Sequence, residues 1–580
     1  MLEQAMNLRF EGKFDEASAL YESLHARAPR DAHVLYESGL CLLSMGKTAD
    51  AEARFRESVE IAPQAPPAHV MLGLALKTRG RLHDAIAAFD RALEFDPQYF
   101  QAWMERGLAF GALDRVNDAI ASFDKAIAIE PTSLTAIGHR GDALRRAGQI
   151  DQALACFDHV LTSDPDDTVA LLGRGAALSN VRRNAEALEC IEPVLSLQPH
   201  NVHALNNRGN VLVNLHRYEE AIQSFERVLE LDPTYIAAWI NIANVLATLN
   251  RYDDAKAASD RALTLGPESP AAHWNAALID LRAGRYDSGW ERYEVRWLMT
   301  GFGAPKHRNI KQWLGKDDLK GKRIVLWHEQ GLGDTIQFCR YAIMVAALGA
   351  SVVLEVQPAL KPLIAESFKG VAQVIGTGEA GPFCDYSTSL MSLPLAFETR
   401  AESIPFAPRY LKANPARVQA WSERLGPSQG KLRIGLACTG NPKHKGDLER
   451  SIDLGMLASI SRYGELYIVQ KDARQGDRAT LAARPEIVHF GDALTDFGET
   501  AALVENLDVV ISVDTSLAHL AGALGKPVWI LLPTHADWRW QLERDDSPWY
   551  PSARLFRQRT AGAWDEVVAR VCEALEGLKR

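Results

Sequence analysis

The sequence predicts an α-solenoid followed by an α/β region of two doubly wound lobes. Three observations carry this. A proline recurs at a fixed interval through the first half. Short β-branched runs alternate with amphipathic segments through the second. The stretch Ile511 to Pro533, ISVDTSLAHLAGALGKPVWILLP, has the pattern of strand, turn, helix and strand.

The first half is a repeat. Prolines stand at Pro29, Pro63, Pro97, Pro131, Pro165, Pro199, Pro233 and Pro267, a period of 34 residues. With this proline at position 32, position 8 is Gly39, Gly73, Gly107, Gly141, Gly175 and Gly209, then Ala243. Position 20 is alanine from Ala17 to Ala255. Position 24 is Tyr21, Phe55, Phe89, Phe123, Phe157 and Phe225, with Ile191 and Ser259 as departures. Small residues that admit two helices and one large residue between them are the tetratricopeptide (TPR) pattern. About eight repeats and a partial ninth from Pro270 fill residues 1–300, and the first lacks a full first helix. Such a superhelix presents a concave face from the first helix of each pair. Asn207, Asn241 and Asn275 at position 6, with Asn210 and Asn244 at position 9, fall on that face. Carboxamides offer both donor and acceptor, so this set reads as a site for an extended acceptor peptide. Asp164-Pro165-Asp166 at a repeat junction is turn and cap chemistry.

Composition narrows the function classes. A net charge of −10 argues against nucleic acid as the main partner. Seven scattered cysteines without a CxxC suit a reducing, cytoplasmic setting and exclude a zinc site of ordinary spacing. The N-terminal MLEQAMNLRFEGKFDEA is charged and amphipathic, so no secretory leader is expected. The most apolar window, Tyr341 to Val356, contains Gly349 and Ser351 and reads as a helix end and a strand, not a membrane span.

After a loose linker at 301–320, strands and helices alternate in two blocks, an N-terminal lobe at 321–414 and a C-terminal lobe at 415–580. Expected strands are Lys322 to Trp327, Ser351 to Val356, Leu432 to Cys438, Leu466 to Gln470, Ile487 to Phe490 and Val509 to Val513. Expected helices include Pro415 to Leu425, Ser516 to Leu524 and Trp564 to Leu578. Gly331-Leu332-Gly333 lacks the third glycine of a dinucleotide fingerprint, and no P-loop, GxSxG or HExxH occurs. The second half has no Asp-x-Asp pair, which argues against a sugar transferase that grips its donor through a metal.

Six loops follow strand C-termini, where open α/β sheets bind ligands. The first lobe brings Gly333-Asp334. The second brings the basic loop Gly440 to Ser451, with Asn441, Lys443, His444, Arg450 and Ser451; Gln470-Lys471; Asp496 to Thr500; the turn Asp514-Thr515-Ser516 with His519; and Asp537 to Trp540. Fixed cations and a helix N-terminus suit a leaving diphosphate held without a metal.

On the motifs EQGLGDTIQFCRY (Glu329 to Tyr341), GNPKHKGDLERSI (Gly440 to Ile452), ISVDTSLAHLAGALGKPVWILLP and DWRW…SPWYP (Asp537 to Pro551), the chain resembles bacterial TPR-fused glycosyltransferases. Their catalytic half is similar to lipopolysaccharide heptosyltransferases, with the GT-B fold of two Rossmann-like lobes also found in O-GlcNAc transferase. The resemblance implies inverting transfer from a nucleotide-sugar with no metal or other cofactor, Asp334 acting as general base. It places donor contacts at Asp514, Thr515 and His519. Gln330, Gly333, Gln337, Trp538 and Arg539 are expected at the sugar or acceptor. Ser516 replaces the glycine usual in heptosyltransferases, which leaves the donor sugar open. The favoured expectation is a protein O-glycosyltransferase with its acceptor, flagellin or another surface protein, in the TPR groove. The alternatives are a lipopolysaccharide or glycan glycosyltransferase docked through its repeats, and a scaffold that binds nucleotide without turnover.

Overall fold

The computed structural model describes residues 1–299, 301–405, 408–428, 430–442 and 446–578. The chain forms two compact units, Met1–Pro233 and Thr234–Arg580.

The first unit is helical. Its described residues hold seven antiparallel helix pairs, from Leu2–Phe10 with Phe14–Arg27 to Val202–Asn214 with Tyr218–Leu231. The opening helix has nine residues where later first helices have thirteen, so the first repeat is short, as expected. The glycine at position 8 has a steric reason: a Cβ on Gly39 would come within 2.6 Å of the Phe55 ring, and one on Gly107 within 2.6 Å of Phe123. The ring fills the space the missing side chain leaves. Arginine at position 7 repeats an ion pair with the preceding helix, Arg106 to Asp90 at 2.6 Å, Arg174 to Asp158 at 2.7 Å and Arg208 to Glu192 at 2.8 Å. These pairs are partly exposed and each contributes ~1 kcal/mol or less.

The second unit starts with the last repeats, Ile236–Thr248, Tyr252–Leu265, Pro270–Arg282 and Tyr286–Tyr293. Here Ala243 replaces glycine and the buried Ser259 replaces the aromatic ring. The small partner leaves room for the extra methyl. These helices share a core with the α/β region: Tyr286, Trp290 and Tyr293 pack with Phe338, Trp538 and Trp549. That common core is why the compact unit begins at Thr234, inside the repeats.

Two parallel sheets follow. The first contains β1 (Lys311–Gln312), β2 (Arg323–Trp327), β3 (Ser351–Val356), β4 (Ala372–Gly376) and β5 (Tyr386–Ser389), in the order β1-β5-β2-β3-β4. The second contains β6 (Leu432–Ala437), β7 (Gly464–Ile468), β8 (Ile487–His489), β9 (Val509–Val513), β10 (Val528–Leu532) and β11 (Ala553–Arg557), in the order β11-β10-β9-β6-β7-β8. Every residue of β9 and β10 is buried, as parallel strands covered on both faces must be. The Tyr341 to Val356 window resolves into the helix Tyr341–Ala347 and β3. Among the described residues no helix is long and apolar enough to cross a membrane. The C-terminal helix Trp564–Leu578 covers one face of the second sheet through Val567, Val571 and Leu575.

Candidate functional site

Two helices from opposite sheets meet at their N-terminal ends. Leu332–Phe338 follows β2, and Ser516–Ala523 follows β9. A Cβ on Gly333 would lie 2.7 Å from Cδ2 of His519 and 3.6 Å from the Ser516 backbone. Gly333 is therefore what lets the two helix ends touch. It was expected to contact sugar or acceptor; here it makes room for His519.

Asp334 sits in the first turn of its helix. One carboxylate oxygen accepts from the Gly331 N–H at 2.7 Å, tying down the start of the helix. The other is ion-paired with Arg539, from the loop after β10. Burial pushes the Asp334 carboxyl above its usual value, with neighbouring Asp537 adding to this against the pull of Arg539. Its side chain keeps 18% exposure, so part of the carboxylate reaches the surface.

Arg539 organises the centre. It donates Nε to Gln337 Oε1 at 2.8 Å and Nη1 to Asp537 Oδ1 at 2.8 Å, and its guanidinium lies 4.2 Å over the Trp538 ring. Burial alone would raise the Asp537 carboxyl, but the Arg539 charge and its hydrogen bonds prevail and hold it down. Gln337 is fully buried, with its Nε2 unpartnered among the described residues. Both residues were expected at sugar or acceptor; they act instead as the mount of Asp334. Trp538 needs a larger correction. At 4% exposure, its ring 5.2 Å from Trp290, it is core and presents nothing to a sugar.

Across the contact, Thr515 caps its helix, its hydroxyl accepting from the Leu517 N–H at 3.3 Å. Ser516 is half-buried at the first helical position. His519 Nδ1 is 2.9 Å from the Tyr550 hydroxyl, and its ring stacks on Trp540 at 5.3 Å. Burial, reinforced by the Arg539 charge, holds its pKa down to about 3, so the imidazole is neutral at physiological pH. Burial, with Asp537 close by, pushes Asp514 up to about 6.

The basic loop is tied in at its far end. Arg450 Nη1 donates to the Asp514 carbonyl at 2.9 Å and Nε pairs with Asp447 at 3.5 Å. Asp447, which is buried, also pairs with Arg474. Asn441 is exposed, and Ser451 is half-buried with its hydroxyl unpartnered among the described residues. Lys443 and His444 lie outside the described residues. Lys471 is exposed beyond β7. Gln470, expected to bind donor, is turned inward: its Oε1 accepts from Cys438 N–H at 2.9 Å and its Nε2 donates to Thr439 Oγ1 at 3.0 Å. Its amide is used up in shaping the turn after β6.

Gln330 donates to the Tyr293 hydroxyl at 3.0 Å and is half-buried. Beside it, Glu329 is locked to fully buried Arg296 of the last repeat at 2.9 Å, with Ser389 donating to the same carboxylate at 2.6 Å. Sequence reasoning missed this pair and also Arg340. The Arg340 guanidinium donates to the Trp549 carbonyl and the Tyr410 hydroxyl, both at 2.9 Å, and joins the two lobes behind Asp334. Arg296 also pairs with Glu294, two residues before it, and Arg340 has no acid within five residues, so neither carries a local pattern that points to a site.

The asparagines divide. Asn207 is half-buried and Asn210 exposed in the first unit. In the second, Asn241 is half-buried and Asn244 exposed. Asn275 is a correction: it is buried, and its Nδ2 donates to Asn244 Oδ1 at 2.6 Å, so it supports Asn244 and offers nothing to a peptide.

Repeats joined to two parallel-sheet lobes, whose helix ends meet beside the half-buried Asp334, give the class: a TPR solenoid followed by a Rossmann-like α/β region. More particularly, residues 493–568 match glycosyltransferase family 9 (heptosyltransferase), and 112–174, 202–235 and 240–289 match tetratricopeptide repeat profiles. Residues 1–130 match the cilia and flagella-associated protein 70 middle TPR-like domain. The chain thus carries TPR repeats and a glycosyltransferase family 9 domain. The family 9 span includes β9, the Ser516–Ala523 helix and Arg539; Asp334 and the basic loop lie outside it. Protein FlbA of Caulobacter vibrioides is 29% identical over 317 residues, covering 50% of this chain and 52% of FlbA. The chain thus spans about half the length of that curated relative. Among solved structures, MamA is 25% identical over 27% of this chain and 93% of its own, with a TM-score of 0.27. A tetratricopeptide repeat protein of Parabacteroides merdae is 16% identical over 43% and 98%, with a TM-score of 0.40.

Proposed function

We propose that this chain moves a sugar, with inversion and without a metal or other cofactor, from a nucleotide-sugar to a hydroxyl of a protein held by the TPR repeats. The observation that carries the reading is the Asp334 carboxylate, raised in basicity by burial and set against the N-terminal end of the helix after β9. Asp334 takes the proton from the acceptor hydroxyl as its oxygen attacks the anomeric carbon. The bond to the donor diphosphate breaks on the opposite face, and the leaving group departs toward the Ser516–Ala523 helix N-terminus and the basic loop. Neutral His519 serves there as a hydrogen-bonding group, not as a cation. Arg539 is the positioning residue: shared between Asp334 and Asp537, it fixes the base until the acceptor hydroxyl displaces it.

The Asn241 and Asn244 carboxamides of the second unit contact an extended acceptor segment, those of Asn207 and Asn210 offer the same chemistry within the first, and the reaction belongs in the cytoplasm, where nucleotide-sugars are made. Flagellin is the first acceptor to test. Intact mass of filament and other surface proteins is compared between cells with and without this chain, then reproduced with the purified protein and a panel of nucleotide-sugars. A mass increment of one sugar residue that needs the chain is expected. Nucleotide binding with no increment on any acceptor would instead mark a scaffold, and an increment confined to lipid-linked glycans would transfer the activity to that substrate class.

A further inference from the structure

Where the last repeats meet the C-terminal lobe, a cavity of about 130 Å³ lies between the Pro270–Arg282 helix and the loops after β10 and β11. Arg282, Arg557, Gln558, Tyr252 and Thr534 line it. It is distinct from the Asp334 centre and smaller than the roughly 300–1,000 Å³ pockets that hold drug-sized ligands.

Its chemistry is cationic, and the acids that act on its arginines, Asp537 on Arg282 and Asp545 on Arg557, make no ion pair with them among the described residues. Arg282 lies against His535, with Nη1 2.9 Å from Nε2, and its own Nε is buried and unpartnered among the described residues. Burial, with the Arg282 charge adding to it, holds His535 neutral, its pKa down to about 3. Among the described residues Arg557 donates only to backbone carbonyls, those of Arg544 at 3.1 Å and Trp540. Among the described residues neither arginine has a carboxylate within ion-pair distance, although most arginines of this chain do. The one lining carboxylate, Glu543, is exposed. Gln558 is 6% exposed, and its Nε2 has no partner among the described residues. Two guanidinium groups and an amide donor that face one small cavity are an unfavourable grouping on their own, and an oxyanion satisfies all three together.

We infer that this cavity is a binding site for one phosphate-sized oxyanion, free or carried as a phosphomonoester. Its occupation fastens the last repeat to the loop that bears Arg539, because Arg557 holds the Trp540 carbonyl and Arg282 holds His535 of that loop. The inference is independent of the donor and acceptor assignments above.

Isothermal titration of the full-length chain with inorganic phosphate, and separately with glycerol 3-phosphate, tests it. One saturable site per chain is expected. Gln558→Glu, nearly isosteric and opposite in its effect on an anion, weakens it at least tenfold, as does Arg282→Gln, with circular dichroism unchanged. Hydrogen exchange across 534–543 slows with ligand in the parent and not in the variants. A tighter monoester identifies a phosphate borne by a larger molecule, and tighter inorganic phosphate identifies the free ion; both support the site. No saturable binding of either probe at millimolar concentration, or unchanged binding in both variants, overturns it.

Discussion

A glycine meets a ring in two parts of this molecule, with different consequences. In the repeats, Gly39, Gly107 and Gly209 each face the aromatic residue sixteen positions on, and the same contact is made again every 34 residues. At the site, Gly333 faces the His519 ring once, between elements that belong to different sheets. The first contact is replicated and its energy is spread along an array. The second occurs once among the described residues, and the place of Asp334 beside the second lobe rests on it. Arg539 and Asp334, 205 residues apart, complete that geometry. Periodic packing writes a period into the sequence; a single long-range contact writes only two unrelated residues.

Substitutions can break this comparison at either end. Asp334→Asn is expected to have the largest effect. It keeps an oxygen for the Gly331 N–H cap and removes the base, so transfer should fall by ~10²–10⁴ while nucleotide affinity is retained. Turnover and nucleotide titration check this, and loss of both together would end the assignment of Asp334 as base. Gly333→Ala should follow, because its methyl has to push the two helix ends apart. About a 10²-fold loss of kcat is expected, for a displacement of ~1 Å, with nucleotide still bound. Wild-type turnover in this variant would show that the contact does not set the geometry.

Gly107→Ala is the repeat counterpart. Overpacking against Phe123 should destabilise the first unit by ~1–3 kcal/mol in chemical denaturation, with kcat on a small acceptor unchanged. The Ala243 and Ser259 pair suggests that a smaller partner at Phe123 would recover part of the loss.

Two smaller effects concern charge and acceptor. Asp514 has its pKa raised in the folded protein to about 6, so its ionised form is disfavoured by folding. That penalty is absent below the unfolded value and grows as pH rises through about 6. Asp514→Asn should therefore stabilise the chain at pH 8 by on the order of 1 kcal/mol, and the gain should shrink on acidification. Thermal melts at pH 5 and pH 8 measure it. Because Asp334 is also raised, transfer should decline as pH falls through its shifted value, whereas neutral His519 adds no second limb. Replacing Asn210 and Asn244 with Ala should raise acceptor KM only a few-fold, with donor hydrolysis unaltered; an unchanged KM would remove the carboxamide groove from the reading.

Much of the architecture was legible. The helices Pro415–Leu425 and Trp564–Leu578 and the strand Val509–Val513 fall on their expected bounds, because Pro at a helix start and buried β-branched runs are local signals. The site was legible as a set of loops and not as a set of contacts. Trp538 read as a sugar platform, yet the last repeat supplies Trp290 to bury it. Gln470 read as a donor ligand, yet its amide closes the turn after β6. Asn275 read as part of a ladder, yet its helix packs into the second unit and buries it. In each case a partner distant in sequence claimed a side chain whose own neighbourhood left it free.

By itself the sequence determined the repeat, the two alternating blocks and the loops at strand ends, since each follows from spacing and residue type over a short window. Only the tertiary structure decided that Gly333 gives way to His519, that Arg539 mounts Asp334 between Gln337 and Asp537, and that the last repeats belong to the same core as the lobes. Those outcomes depend on which buried surfaces meet, and burial is what raises the carboxylate, silences the imidazole and gives a single arginine its hold on the centre.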